Sequence, residues 1–161
     1  MDERIAHVVN TFAASHPLTR ALAVFSAKYL IIILFLVTAA VAFRKRTVAL
    51  FALAVGLSFL LNYVISLVVF RPRPQGTGVI RLITQPWSLK SFPSDHAAIA
   101  IACAWVLGWS LPSLRWPAFA VALLVAVGRV AVGVHYPLDI VGGILVGSIA
   151  ATLGRWIIER S

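Results

Sequence analysis

Long runs of uncharged apolar residues are the feature that most constrains how this chain can fold. From Val48 to Phe70 the sequence carries no charged side chain, and about 20 predominantly apolar residues are enough to cross the hydrocarbon core of a bilayer. Four other runs have a similar character, although the third is shorter. The five predicted transmembrane helices are Ala21–Phe43, Val48–Phe70, Ala97–Leu111, Pro117–Val134 and Ile140–Ile158. The sequence therefore predicts an all-α, polytopic membrane helix bundle.

The composition agrees with a membrane protein and excludes several other classes. Of the 161 residues, 61% are hydrophobic and 12% are charged, whereas a soluble domain carries roughly 25% charged residues. A soluble globular domain, a disordered chain, a secreted disulfide scaffold and a nucleic-acid-binding module are excluded. The single cysteine, Cys103, cannot form an internal disulfide. The length predicts one integral-membrane domain over residues 1–161.

The segment before the first span has the pattern of an amphipathic helix. Its apolar residues recur at the spacing of one helix face, and they are Ile5, Val8, Val9 and Phe12. The segment is too polar to cross a membrane, and a proline follows His16. We therefore expect residues 1–16 to form a helix that lies in the membrane interface.

The basic residues predict an orientation for these spans. Arg44, Lys45 and Arg46 form a compact cluster in the first loop, and Lys and Arg in short loops favour the cytoplasmic side. Five crossings place the carboxyl terminus on the same side as this loop. The sequence therefore predicts that both are cytoplasmic. Arginines on the opposite face are then best explained by the binding of an anion.

Apart from residues near its two ends, the chain contains only two carboxylates, Asp95 and Asp139, and each lies close to a histidine. Ionisable residues at membrane depth are functional candidates by default. The predicted spans place the two carboxylates at one membrane face. The same face receives His96, His135, Arg71, Arg73 and Arg129.

This set of residue types fits phosphoryl transfer. Guanidinium groups match the oxygens of a phosphate, and Ser94 at the start of a helix adds a hydroxyl and backbone N–H groups. His135 can attack phosphorus while Asp139 orients it, and His96 can protonate the departing oxygen. Arginine would replace a divalent cation in stabilising the charge. Zinc ligation by both histidines and both aspartates is an alternative, although three arginines would crowd the cation.

The spacing of these residues resembles the three motifs of the type-2 phosphatidic acid phosphatase superfamily, which also includes the vanadium haloperoxidases. The third motif, S-R-x5-H-x3-D, corresponds to Arg129, His135 and Asp139. The second motif, P-S-G-H, corresponds to Pro93–His96, and the first, K-x6-R-P, ends at Arg73-Pro74. The order of the three motifs is also that of the family.

The sequence departs from the family pattern at three positions. Ser66 stands where the first motif has lysine, Gly128 replaces the serine of the third motif, and Asp95 replaces the glycine of the second. The missing positive charge is expected from another basic residue: Lys90, Lys28 or Arg71. The Asp95 variant, within Ser-Phe-Pro-Ser-Asp-His, resembles the bacitracin-resistance-type undecaprenyl-diphosphate phosphatases.

The resemblance implies a role for each matching residue. His135 would be the nucleophile, Asp139 would orient it, and His96 would be the leaving-group acid. The phosphate would be held by Arg73, Ser94 and Arg129. Arg71, Lys90 and Asp95 are further candidates for phosphate binding in this sequence. The resemblance further implies no metal or other cofactor. It implies a site on the extracytoplasmic face of a bacterial inner membrane, where the substrate is a lipid phosphate in the bilayer.

The favoured function is hydrolysis of undecaprenyl diphosphate to the monophosphate through a phosphohistidine. Phosphatidylglycerophosphate, phosphatidate and lipid A are alternative substrates for the same chemistry. A catalytically inactive protein that binds anionic lipid is an alternative of another class, since two motif positions are altered. The spacing of Gly143 and Gly147 indicates close helix packing, either within the chain or in a homodimer.

Overall fold

The computed structural model describes residues 1–74, 78–83 and 90–160, and within them the fold is all-α. A short 3-10 turn, Pro112–Leu114, precedes the sixth helix. The only β-type pairing in the described part is an isolated bridge between Pro72 and Lys90. The helices are α1 (Asp2–Ala14), α2 (Pro17–Lys28), α3 (Leu30–Lys45), α4 (Val48–Val68), α5 (Asp95–Ser110), α6 (Arg115–Ala131) and α7 (Pro137–Arg160). The predicted helix bundle is therefore confirmed.

Four helical segments in the described part are long and apolar enough to cross a membrane, rather than the five predicted. They are Pro17–Lys45, Val48–Val68, Pro112–Ala131 and Pro137–Arg160. The predicted third span corresponds to α5, which has 16 residues and is therefore shorter than a typical transmembrane helix. The prediction of five spans with an interfacial helix is thus confirmed only for four spans.

Two helix boundaries differ from the predicted span boundaries for identifiable reasons. The first span begins at Pro17, because the His16 side chain accepts a hydrogen bond from the backbone N–H of Leu18 and caps a new helix. The fourth span ends at Ala131 rather than Val134. There Gly133 has a φ of +77°, a left-handed conformation that interrupts the helix.

Helix α5 forms the centre of the bundle, and ten of its residues are buried. At its carboxyl end the Ser110 hydroxyl lies 2.8 Å from that of Thr47, at the start of α4. At its amino end Asp95 contacts Asn62, near the other end of α4. Helices α4 and α5 therefore run antiparallel side by side. Consequently, the end of α4 and the start of α5 lie at the same end of the bundle.

The glycines of α7 let it approach α5 closely. A Cβ atom at Gly143 would lie 2.6 Å from the carbonyl oxygen of Ser94, and one at Gly147 would lie 2.2 Å from that of Ala98. Both glycines are therefore used for packing within the chain. The homodimer stays a prediction, and these two glycines would contribute to it only if α7 left α5.

Helix α1 packs on the bundle through small and polar residues. Ala6, Asn10 and Ala13 are its buried residues, whereas Ile5, Val8 and Phe12 of the predicted apolar face are exposed. The apolar face therefore points away from the protein. This arrangement leaves the face available to a bilayer, and the interfacial location stays a prediction.

Candidate active site

The ends of four helices meet at the predicted site. The backbone N–H of Ser94, which caps α5, donates to the carbonyl of Asp139 in the first turn of α7 (3.0 Å). The guanidinium of Arg73, after α4, donates to the carbonyl of Val134, after α6 (2.8 Å). These two hydrogen bonds join all three motif segments. The predicted convergence of residues distant along the chain is therefore what the structure has.

His135 and Asp139 form a buried pair, with exposed side-chain fractions of 3% and 0%. Nδ1 of His135 lies 3.5 Å from Oδ2 of Asp139 and makes no hydrogen bond in the described part of the chain. The same Oδ2 accepts from the backbone N–H of Tyr136 (2.8 Å). Because Pro137 begins α7, Asp139 falls in the first turn of that helix, four residues after His135.

The electrostatics of this pair favour a neutral imidazole. Burial lowers the pKa of His135 to about 4, and Arg129 and Arg73 act in the same direction, while the adjacent carboxylate of Asp139 opposes them. At neutral pH the ring therefore carries one proton. If that proton is on Nδ1, facing Asp139, then Nε2 keeps a lone pair with which it can attack an electrophile.

His96, in the first turn of α5, lies within electrostatic range of Arg129, His135 and Arg73. Arg129 and Arg73 are 2% and 6% exposed, and the two guanidinium groups are close enough to repel each other. Two buried like charges raise the free energy of the empty site, and an anion between them would lower it. Both histidines therefore border a pair of buried guanidinium groups that could hold an anion.

Gly128 has a packing role in this chain. A Cβ atom there would lie 2.4 Å from the Ser26 hydroxyl oxygen and 2.9 Å from the backbone nitrogen of Ala27. The missing side chain lets α2 approach α6, and Nη1 of Arg129 donates to the carbonyl of Ala27 (3.3 Å). The departure from the motif serine therefore coincides with a contact that orients Arg129.

Arg71 contacts carboxylates rather than the arginine cluster. Nη1 donates to Oδ1 of Asp139 (2.9 Å), and Nη2 donates to Oδ2 of Asp2. Its guanidinium carbon lies 4.2 Å from the centre of the Tyr136 ring. The predicted role of Arg71 in phosphate binding therefore competes with two ion pairs and a cation–π contact.

Lys90 and Asp95 line a polar cavity of about 390 Å³ beside the site, together with Asn62 and Ser66. The Lys90 ammonium donates to the backbone carbonyl of Ser66, the position at which the family motif has its lysine. Asp95 accepts from Nδ2 of Asn62 (2.8 Å) and lies within electrostatic range of Arg73. Lys90 is thus the basic residue that reaches the altered position.

Three residues at the site were missed by the sequence analysis. They are Asp2, Asn62 and Tyr136. Asn62 had a detectable signal, because an amide in an otherwise apolar span needs a partner. In the described part of the chain, no group of three or more His, Cys, Asp or Glu residues could hold a metal ion. The alternative of a zinc site formed by the two His–Asp pairs is therefore not supported.

Comparison with known proteins agrees with this geometry. Residues 47–161 match the PAP2 superfamily. The chain is 33% identical over 111 residues to undecaprenyl-diphosphatase BcrC of Bacillus subtilis (strain 168), and the alignment covers 68% of this chain and 58% of that protein. This chain thus spans less than two thirds of that relative.

Two solved structures have the same fold. The crystal structure of Aquifex aeolicus LpxE is 28% identical with a TM-score of 0.76, covering 95% of this chain and 93% of that one. A PAP2-type phosphatidylglycerolphosphate phosphatase from Bacillus subtilis is 26% identical with a TM-score of 0.71, covering 99% and 85%. The motif residues, the family match and the shared fold lead to one conclusion: this multi-pass membrane protein belongs to the PAP2 superfamily.

Proposed function

We propose that this protein is a membrane lipid phosphatase that hydrolyses undecaprenyl diphosphate to the monophosphate through a phosphohistidine. The observation that carries this proposal is the buried His135–Asp139 pair beside Arg73 and Arg129. An anion-binding site needs the arginines, but it has no need of a neutral imidazole backed by a carboxylate. The similarity to undecaprenyl-diphosphatase BcrC supports the choice of substrate.

In the first step, Nε2 of His135 attacks the terminal phosphorus. The bond between phosphorus and the bridging oxygen breaks, and His96 gives its proton to the departing lipid monophosphate. Asp139 stabilises the imidazolium that forms as His135 becomes phosphorylated. The negative charge of the bound phosphate favours the protonated form of His96 before the transfer.

In the second step, water replaces the lipid. His96, now neutral, removes a proton from a water molecule, whose oxygen attacks the phosphorus. The P–N bond breaks, His135 is regenerated, and inorganic phosphate leaves. The carboxylate of Asp139 again compensates the charge on the ring. Atoms and protons balance over the two steps, so the net reaction consumes one water.

The phosphate is held by arginine and by the start of α5. Arg73 and Arg129 stabilise the charge on the equatorial oxygens, and Ser94 contributes its hydroxyl together with the N–H groups of the first turn. Two guanidinium groups supply the charge that a divalent cation provides in other phosphatases. The proposed reaction therefore needs no metal.

Lys90 supplies the positive charge that Ser66 does not. Its ammonium already lies at the Ser66 carbonyl, and it lines the polar cavity next to Asp95. Of the other candidates, Lys28 is exposed at the end of α2 against Tyr29, and Arg71 is engaged by two carboxylates. We assign to Lys90 the bridging region of the diphosphate.

The proposed topology has five crossings, with α5 as the short central one. At 1.5 Å per residue a helix of this length extends about 24 Å, and its buried surroundings shield its ends from lipid. Arg44–Arg46 and the C-terminus would then be cytoplasmic, α1 would lie in the interface, and the site would face the exterior of a bacterial inner membrane.

The test is a substrate panel with purified protein in detergent. The proposal predicts phosphate release from undecaprenyl diphosphate with or without EDTA, and loss of release in His135→Ala. Release that requires a divalent cation, or that persists in His135→Ala, would contradict the mechanism.

A second substrate is favoured by a specific observation. The similarity to the phosphatidylglycerolphosphate phosphatase covers nearly the whole chain, so phosphatidylglycerophosphate belongs in the panel beside phosphatidate and lipid A. A higher kcat/KM for any of these than for undecaprenyl diphosphate would change the substrate and keep the mechanism. Binding of all lipids without turnover would support the inactive lipid-binding alternative.

A further inference from the structure

Arg71 lies between two carboxylates at the edge of the candidate active site. One terminal nitrogen donates to Asp139 (2.9 Å) and the other donates to Asp2. The face of its guanidinium stacks on the ring of Tyr136 at 4.2 Å. Each terminal nitrogen of Arg71 is therefore already engaged by a carboxylate of the protein.

Asp2 holds a second group as well. Its Oδ1 accepts a hydrogen bond from the backbone N–H of Leu138 (3.1 Å), in the first turn of α7. A carboxylate at this position satisfies a free N–H group and interacts favourably with the helix dipole. Asp2, which is far from α7 in sequence, thus connects α1 both to Arg71 and to the helix that carries Asp139.

The two carboxylate oxygens of Asp139 have different partners. Oδ1 faces Arg71, whereas Oδ2 accepts from the N–H of Tyr136 and faces Nδ1 of His135. The carboxylate is therefore fixed in rotation, with one oxygen toward the imidazole. The positive charge of Arg71 also weakens the electrostatic effect of the Asp139 carboxylate on His135.

We propose that Asp2 and Arg71 are positioning residues that hold Asp139 in the orientation needed by His135, and that α1 thereby completes the active site. The expected effect on catalysis rests on the proposed function. The contacts of Asp2 and Arg71 do not depend on that function. It assigns Arg71 to the support of Asp139 instead of to the phosphate.

The first test is the pH dependence of kcat/KM for Arg71→Gln, with Arg4→Gln as the matched control because Arg4 is exposed on α1. His135 faces Asp139, Arg129, Arg73 and His96. In the wild type, activity should fall as the pH drops through about 4, where His135 becomes protonated. Without Arg71 the full charge of Asp139 favours protonated His135, so this acid limb should move up by about one pH unit.

The size of the effect distinguishes positioning of Asp139 by Arg71 from binding of phosphate by Arg71. Loss of a charge-assisted contact that positions a catalytic group should lower kcat by about 10- to 100-fold with little change in KM. Arg71→Lys keeps the charge but reaches only one carboxylate, so it should restore the acid limb and recover kcat in part. A raised KM with an unmoved acid limb would instead mean that Arg71 binds phosphate, and would overturn the proposal.

Asp2→Ala tests the contact of Asp2 with Arg71 without changing Arg71 itself. Glu3→Ala is its control, because Glu3 is an exposed acid in the same first turn. We expect kcat to fall by about three- to tenfold in Asp2→Ala, since Arg71 keeps one of its two ion pairs. Glu3→Ala should leave kcat unchanged. Equal activity of the two variants would exclude a positioning role for Asp2.

A readout that needs no turnover separates this inference from the proposed function. NMR titration of labelled histidine in detergent, with His135→Ala to assign the signal, should give a higher pKa for His135 in Arg71→Gln than in the wild type. Absence of hydrolysis together with this shift would reject the proposed phosphatase activity and support the positioning role of Asp2 and Arg71. Hydrolysis with an unshifted His135 titration would reject the positioning role and support the phosphatase activity.

Discussion

Residues 47–161 and residues 1–46 contribute to the candidate active site in different ways. The first of these regions matches the PAP2 superfamily and contains every residue for which we propose contact with phosphate. The other region contributes supports from α1 and α2. These supports are the contacts of Asp2 with Arg71, of Asn10 with Ala131, and of Ala27 with Arg129.

The difference indicates that the residues proposed to contact phosphate lie in one part of the chain, whereas some of their supporting contacts come from the other part. The motif residues lie at helix ends whose order is set by α4–α7. The turns between those ends are held by α1 and α2, and each support joins residues at least 69 positions apart. Loss of the proposed nucleophile in residues 47–161 should therefore abolish activity, whereas loss of a supporting contact from residues 1–46 should weaken it.

The largest effect is expected for the nucleophile. His135→Ala should reduce phosphate release by about ten-thousand-fold or more, because the remaining groups cannot form the covalent intermediate. His7→Ala is the matched control in the other region, since His7 is an exposed histidine of α1. Initial rates on undecaprenyl diphosphate measure both. Comparable losses in the two variants would erase the distinction between the regions.

Gly147→Val tests the packing of α7 on α5. The new side chain would meet the backbone of Ala98, and overpacking of this kind costs about 1–3 kcal/mol. Gly56→Ala on α4 is the control, because a Cβ atom added there would have no neighbouring atom within 4 Å. Thermal unfolding in detergent should give a lower Tm for Gly147→Val and an unchanged or higher Tm for Gly56→Ala. Unchanged Tm values in both would contradict the close approach.

Lys90→Met tests the residue that reaches the Ser66 position. We expect kcat/KM for undecaprenyl diphosphate to fall by about 10- to 100-fold, because a charge beside the phosphate is lost. Lys28→Met, which removes an exposed lysine of α2, should change it by less than about twofold. If the Lys28 variant loses activity and the Lys90 variant retains it, the substitute lysine has been assigned wrongly.

The smallest effect is expected for Asn10→Ala. Asn10 is 1% exposed. Its side chain forms hydrogen bonds with the backbone N–H and carbonyl of Ile80 and with the backbone carbonyl of Ala131. Its loss should lower the free energy of unfolding by about 1–3 kcal/mol and reduce kcat only a few-fold. Thr11→Ala, at an exposed neighbour, should match the wild type. A complete loss of activity in a folded Asn10→Ala protein would show that α1 has a direct chemical role.

The sequence predicted the parts that depend on local spacing. The i, i+4 relation of His135 and Asp139, and the helix start at Ser94, follow from patterns within a few residues, and the long apolar runs predict the bundle. It did not predict the contacts of Asp2 and Asn10, because each joins one polar side chain to a distant turn and leaves no periodic signal. The ion pair of Arg71 with Asp2 was missed for the same reason, since the two residues lie 69 positions apart.

The departures from the motifs also needed the structure. In the sequence, Gly128 is noticed only because it lacks the hydroxyl of the motif serine. In the structure, Gly128 is the place where α2 packs against α6. Ser66 likewise lacks the charge of the motif lysine, and only the structure shows the Lys90 ammonium at the backbone carbonyl of Ser66. In both cases a helix or loop outside the motif contacts the altered position, and sequence spacing cannot reveal that.

The covalent intermediate offers the most direct test of the proposed mechanism. Purified protein would be mixed briefly with undecaprenyl diphosphate radiolabelled at the terminal phosphate and quenched in alkali. We predict a label on the protein that is stable in alkali, labile in acid and absent from His135→Ala. Turnover by the wild type without any such label, or a label that remains in His135→Ala, would contradict attack by His135.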